Sequence, residues 1–237
     1  MQISSRSVLW NSPESLRATV LVVRSDEARR SVRIAGGALA PGSSGVTVDW
    51  GDGCVQRLAS FMNATHEYRR PGEHTVTISD DLVSFGYSSN VDTDANRQTL
   101  AELVRIGDRV TAIGSYAFNN CRSMRGVIEL PNVTSLGNYA FGSTGGVTSF
   151  SFPSLDWVPA TPFYILPSAT SMYVDSAQQI TSELFGYFGN RLIHVYIRKK
   201  TGSQVAAMTF FPFGAGPNAR FHCSDVVIGA DGRPAIC

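Results

Sequence analysis

The sequence is poor in charge: Asp, Glu, Lys and Arg make up only 16% of its 237 residues, and the formal net charge is +1. So balanced a chain has no electrostatic reason to bind nucleic acid or an anionic membrane surface. No apolar run approaches the roughly 18–20 residues that a membrane span needs, so no membrane insertion is expected. The segment Met1–Trp10 has neither a long apolar stretch nor a small-residue cleavage site, and reads as lacking a secretory signal. Either a leader has been trimmed, or the protein is assembled inside the cell and leaves by another route. Cysteine and histidine are scarce, four of each, with no CxxC spacing. Neither a metal site nor a cofactor is expected from such scattered ligands.

Catalytic signatures are missing as well. The chain has no G-x-S-x-G, P-loop, H-E-x-x-H or dinucleotide fingerprint. His222 and Cys223 are adjacent, but on an extended strand neighbouring side chains point to opposite faces, which separates a thiol from its base. No enzyme activity is expected. Asp92-Thr-Asp-Ala-Asn96 opens like a calcium loop, yet Arg97 stands where the loop needs glycine and Leu103 where it needs glutamate. Asp92 or Asp94 is instead expected to cap a short helix through Thr99–Leu103. Cys54 and Cys121 read as buried small hydrophobes. Cys223 and Cys237 flank an expected hairpin and could pair, depending on the redox compartment.

What is present is β-forming. Short β-branched or alternating runs occur at Thr19–Val23, Ser31–Ile34, Val46–Trp50 and His74–Ile78, separated by glycine- and proline-containing turns. Such spacing predicts a small sandwich. Val48-Asp-Trp-Gly-Asp-Gly53, His66-Glu-Tyr68 and Pro71-Gly-Glu-His-Thr-Val-Thr-Ile78, in that order, resemble a polycystic-kidney-disease (PKD) type immunoglobulin-like domain. The resemblance implies a turn at Asp49, Trp50, Gly51, Asp52 and Gly53, and a loop at His66–Tyr68 leading into the last strand. Gly51 and Gly53 would supply turn dihedrals, Asp49 and Asp52 would bond turn amides, and Trp50 would anchor the core. His66 reads as a packed, hydrogen-bonded histidine.

Further on, the sequence repeats itself. Val110-Thr-Ala-Ile-Gly-Ser-Tyr-Ala-Phe118 returns 23 residues later as Val133-Thr-Ser-Leu-Gly-Asn-Tyr-Ala-Phe141. A fixed period in the twenties marks a solenoid, whose coils bury their apolar faces only by stacking. Apolar pairs at Val104/Ile106, Ile128/Leu130, Phe150/Phe152, Met172/Val174, Val195/Ile197 and Phe221/Cys223 continue it at steps of 24, 22, 22, 23 and 26 residues. Ile113-Gly-Ser-Tyr-Ala-Phe-Asn-Asn-Cys121 through Ile128-Glu-Leu-Pro131 resembles the BspA-type leucine-rich repeats. Phe221–Ile228 reads as a final strand, followed by an Asp-Gly hairpin at 229–232.

The expected organisation is mainly β. A PKD/immunoglobulin-like sandwich spans 1–88, a helical linker and cap 89–103, and a leucine-rich-repeat solenoid with a C-terminal hairpin cap 104–237. Tyr173 and Tyr196 alternate with the inward residues of their strands and should face outward on one ladder. With Trp157 and the basic run Arg198, Lys199 and Lys200 they form the candidate ligand or partner surface. The two resemblances together imply a non-enzymatic structural or binding protein displayed on a phage virion, as a head-decoration or tail-associated component. Its partners would be other virion or surface proteins, or a host glycan or receptor. A bacterial cell-surface adhesin is the alternative, and either is compatible with an oligomer.

Overall fold

The computed structural model describes residues 17–86, 99–158, 161–180, 192–206 and 219–229. Among them the chain is almost entirely strand and turn, with one short α-helix, α1 (Gly202–Ala206).

The N-terminal part builds two antiparallel sheets. The larger runs β4 (Val55–Leu58), β3 (Val46–Asp49), β6 (Gly72–Ile78), β1 (Thr19–Ser25) and β8 (Leu100–Arg105). The smaller pairs β2 (Ser31–Ala35) with β5 (Asn63–Glu67). Alternation in β1 and β6 turns Leu21, Val23, Val76 and Ile78 inward, where they share a core with Val32, Ile34 and Ala64 of the smaller sheet. Two sequence expectations fail here. His66 lies on strand β5, register-paired with Val32, and not in a loop. Thr99–Leu103 is not a helix: Leu100–Arg105 is extended and pairs with β1, with Leu103 opposite Leu21. An outer edge was open on β1, and two irregularities in the β1–β8 pairing let Leu100, Leu103 and Ile106, three residues apart, all be buried along and just past an extended strand. Residues 89–98, including Asp92 and Asp94, lie outside the described residues.

The C-terminal part is a β-solenoid. Its main sheet runs β10 (Arg125–Glu129), β12 (Gly146–Ser151), β14 (Ser171–Tyr173), β16 (Ile193–Tyr196) and β17 (Ala219–His222) in parallel, and ends with the antiparallel β18 (Val227–Gly229). Ile128, Phe150, Met172, Val195 and Phe221 share one register row and are all buried. The other flank carries two-residue strands: β7 (Ser84–Phe85), β9 (Ala112–Ile113) and β11 (Ser135–Leu136) in one group, and β13 (Trp157–Val158) with β15 (Gln179–Ile180) in another. Stacked rings fill the coil: Phe85 on Phe118, Phe118 on Phe141 and Phe141 on Phe163, with centroids 5.2, 5.4 and 6.1 Å apart.

The repeat motif has a steric logic. A Cβ on Gly137 would collide with the backbone of Ser115 in the preceding coil, so the Ile/Leu-Gly step is where neighbouring backbones touch. Three successive coils then reverse through a left-handed residue: Asn120, Ser143 and Ile165 have φ of 58°, 56° and 56°, at 23- and 22-residue steps.

The two parts interlock. Ser84 and Phe85 leave the N-terminal sheets to become the first rung of the solenoid flank, while Leu100–Arg105 returns to complete the N-terminal sheet. Val104 therefore does not open the solenoid core as expected from sequence; it is 55% exposed, and only Ile106 of that pair is buried. The expected final strand is also broken. β17 stops at His222, Cys223 N–H bonds to the Val226 carbonyl, and β18 returns antiparallel, so the hairpin comes before the Asp-Gly pair. Residues 230–237 lie outside the described residues, and with them the Cys223–Cys237 question. Cys121 is buried as expected, but Cys54 is exposed at the end of the Asp49–Gly53 turn, which leaves no apolar neighbourhood to receive it.

Candidate binding face

The outer face of the main sheet follows from its register. Glu129, Ser151, Tyr173, Tyr196 and His222 occupy one cross-strand row, and Val127, Ser149, Ser171, His194 and Arg220 the next. Parallel strands in register repeat about every 4.8 Å, close to the thickness at which aromatic rings stack. Tyr173 and Tyr196 do stack, with centroids 4.4 Å apart and planes at 8°. The sequence expectation that these two share an outward ladder holds. His222 extends it, 4.4 Å from Tyr196 at 15°.

This geometry decides what the ladder can offer. Both faces of the Tyr196 ring are covered, one by Tyr173 and the other by His222, so the row presents ring edges and hydroxyls to solvent. Burial, the nearby Tyr173 and its hydrogen bond raise the Tyr196 phenol above its ordinary value, so it remains a neutral donor and acceptor. In the next row Ser171 Oγ donates to Ser149 Oγ at 2.9 Å. His194 Nδ1 and His222 Nε2 are 2.8 Å apart, bridging the two rows.

Basic residues flank the strand ends. Arg198 lies 5.3 Å from the Tyr173 ring centroid and donates through Nη2 to Asp175 Oδ2 at 2.8 Å, while its backbone N–H donates to Asp175 Oδ1 at 2.8 Å. Burial would raise the Asp175 carboxyl, but these Arg198 hydrogen bonds and its charge hold it below the ordinary carboxylate value. Lys200 Nζ donates to Gln178 Oε1 at 3.0 Å, and Lys199 is exposed. Trp157, also named from sequence, is 58% exposed but stands on β13, on the other flank of the coil, so the structure does not bring it to the tyrosines. Tyr164 belongs to a separate stripe, where Tyr116 stacks on Tyr139 and Tyr139 meets Tyr164 edge-on at 5.5 Å.

His194 was not singled out from sequence, and His222 was weighed only as a neighbour of Cys223. The signal was there for one of them: if Phe221 and Cys223 are the inward pair, the residue between them must continue the outward tyrosine row.

The Asp49–Gly53 turn is built as its residues suggest. Gly51 and Gly53 have φ of 82° and 94°, Asp49 Oδ1 accepts from Gly51 N–H at 2.9 Å, and Asp52 Oδ1 accepts from Cys54 N–H at 3.0 Å. Trp50 is fully buried, and its Nε1–H donates to Gln56 Oε1 at 3.2 Å. His66 packs parallel to Trp50 at 4.9 Å and reaches Asp52 Oδ2 at 2.8 Å. Burial works to raise the Asp52 carboxyl, but the His66 contact and the Cys54 amide draw it below its ordinary value. All of these partners lie within the turn and its immediate support, which is a structural role.

Among known families, the BspA type leucine rich repeat region matches residues 90–210, in six copies. No curated protein and no solved structure matches the chain. The described residues include no helix long and apolar enough to cross a membrane.

Proposed function

We propose that this chain, which belongs to the BspA-type leucine-rich-repeat family, is a non-enzymatic module that binds a protein partner on the outer face of its solenoid sheet. The observation that carries this is the Tyr173–Tyr196–His222 stack, a rigid row of ring edges and hydroxyls fixed by strand register. Rings held by one another lose little conformational freedom when a partner docks, which is what makes Tyr a common interface anchor. With the faces of Tyr196 covered, the row is poorly suited to stacking a sugar and better suited to hydrogen-bonding a polypeptide.

A surface role fits the family, and the setting it supports is a bacterial cell-surface adhesin. The virion setting expected from the sequence finds no support in the family match. A PKD-type identity for the N-terminal sheets rests on the Val48–Gly53, His66–Tyr68 and Pro71–Ile78 motifs, and that part would attach the solenoid to its carrier.

The test is capture from surface-protein extracts by the immobilised chain and by its Tyr173→Ser/Tyr196→Ser variant. Both substitutions lie on the outer face and leave the buried rows intact, so the variant should keep its fold by circular dichroism. Capture of a defined partner by the wild type, reduced at least about tenfold in the variant, is the expected result. Equal capture by both would overturn the assignment of this face.

A further inference from the structure

The same face carries an imbalance of charge. Arg198, Lys199 and Lys200 follow β16, and Arg220 stands on β17 in register with His194. Against these four, the described carboxylates beside β16 and β17 are Asp175 and Asp225, while Glu129 lies at the far end of the same row, on β10. Asp175 is occupied by Arg198, and Asp225 Oδ1 accepts from Gly202 N–H at 2.8 Å. Both carboxylates therefore brace turns of the coil, and cations predominate at the strand ends where the aromatic row stops. Ring edges add to this, since the quadrupole of an aromatic ring is positive at its rim.

Into this setting β16 and β17 bring the two imidazoles, with nitrogens 2.8 Å apart. In the neutral pair one nitrogen carries the proton and the other accepts it. A first added proton can settle on the donor ring's far nitrogen, and the bond between the rings then becomes charge-assisted. A second added proton would occupy the accepting nitrogen and break the bond. The pair can thus gain one positive charge while keeping its geometry. The ionisable and charged groups around it are Tyr173 from β14, Tyr196 and Arg198 from β16 and its turn, and Arg220, Cys223 and Asp225 from β17 and its turn. Burial, and then the charge of His194, lower the His222 imidazole below its ordinary value, which disfavours its protonated form. An arriving carboxylate would reverse that balance.

We propose that this face docks an acidic segment of a partner protein, and that the His194–His222 pair takes up a proton as the segment binds. The proposal rests on the reading of this sheet face as the binding surface and adds the partner's chemistry and its response to pH. Binding is then linked to protonation: if it raises the pair's pKa by about one unit, affinity rises about tenfold as pH falls through that titration. It also weakens with salt, because Arg198 and Lys199 among the flanking cations are solvent-exposed.

The test uses the full chain and three labelled probes: a poly-glutamate peptide, a glycine-serine peptide of equal length, and polygalacturonate. Binding is read by fluorescence anisotropy between about pH 7.5 and about pH 5.5, the range in which histidine titrates. Poly-glutamate should bind in preference to the glycine-serine peptide and tighten about tenfold on acidification. His194→Gln/His222→Gln should bind it more weakly and without the pH dependence, and Arg220→Gln should weaken binding while keeping that dependence. Circular dichroism on each variant checks the fold. The proposal is overturned if poly-glutamate shows no preference, if the pH dependence survives in the double histidine variant, or if polygalacturonate binds as well as the peptide. Any of these results leaves the capture experiment with the tyrosine variant to stand or fall separately.

Discussion

Ile165 is the residue at which the coil is least at ease. It is β-branched, 50% exposed and held at φ 56°, where the preceding coils place Asn120 and Ser143. A left-handed conformation costs an L-residue roughly 1–2 kcal/mol and least of all Asn or Gly. Ile165→Asn should therefore stabilise the protein by about 1 kcal/mol, read as a higher denaturant midpoint at unchanged m-value. Asp175 makes a second prediction. Its folded pKa is depressed below the ordinary carboxylate value, so its contribution is present above that ordinary value and is lost as pH falls through the lower, folded one. Urea titrations from about pH 5 down to about pH 2.5 should show the wild type losing stability that Asp175→Asn does not lose. The difference should be small, since Arg198 is well exposed and exposed pairs contribute less than about 1 kcal/mol.

At the scale of the element, the coil is held by its phenylalanine stack more than by any polar contact. Phe141 is fully buried and meets Phe118, Phe150, Phe152 and Phe163. Phe141→Ala should cost about 3–5 kcal/mol in equilibrium unfolding, because packed neighbouring coils cannot collapse into the space. The period and apolar register of this stack were legible in the sequence, since each coil must present the same residues to the next. So was the outward placement of Tyr173 and Tyr196, which follows from strand alternation. The strand at Leu100–Arg105 was not legible. Its residues suit a helix and a strand almost equally, and the open edge of β1 that decides between them lies about 80 residues away in sequence. The early hairpin at Cys223–Val226 was missed for a related reason, as Val226–Ile228 reads as an unbroken β run. The histidine pair escaped notice because His194 and His222 meet only through the register of β16 with β17.

For the whole molecule, the exchange of strands makes a division near residue 88 or 104 artificial. Cutting at 88 would strip β8 from the N-terminal sheet, and cutting at 104 would strip β7 from the solenoid flank. The buried apolar cluster also runs unbroken from Leu21 to Phe221. Scanning calorimetry should accordingly show one transition with matching calorimetric and van't Hoff enthalpies; two separated transitions would mean that the parts fold independently. Such a rigid unit can hold the aromatic row of the main sheet in fixed register against a partner. The most direct test of that claim places a photo-crosslinking amino acid at Tyr196 on the main sheet or at Gln56 on the exposed edge of the N-terminal sheet, followed by exposure to surface-protein extract. Crosslinking of a defined partner from position 196 and none from position 56 is the predicted result; crosslinking from position 56 alone would contradict the account.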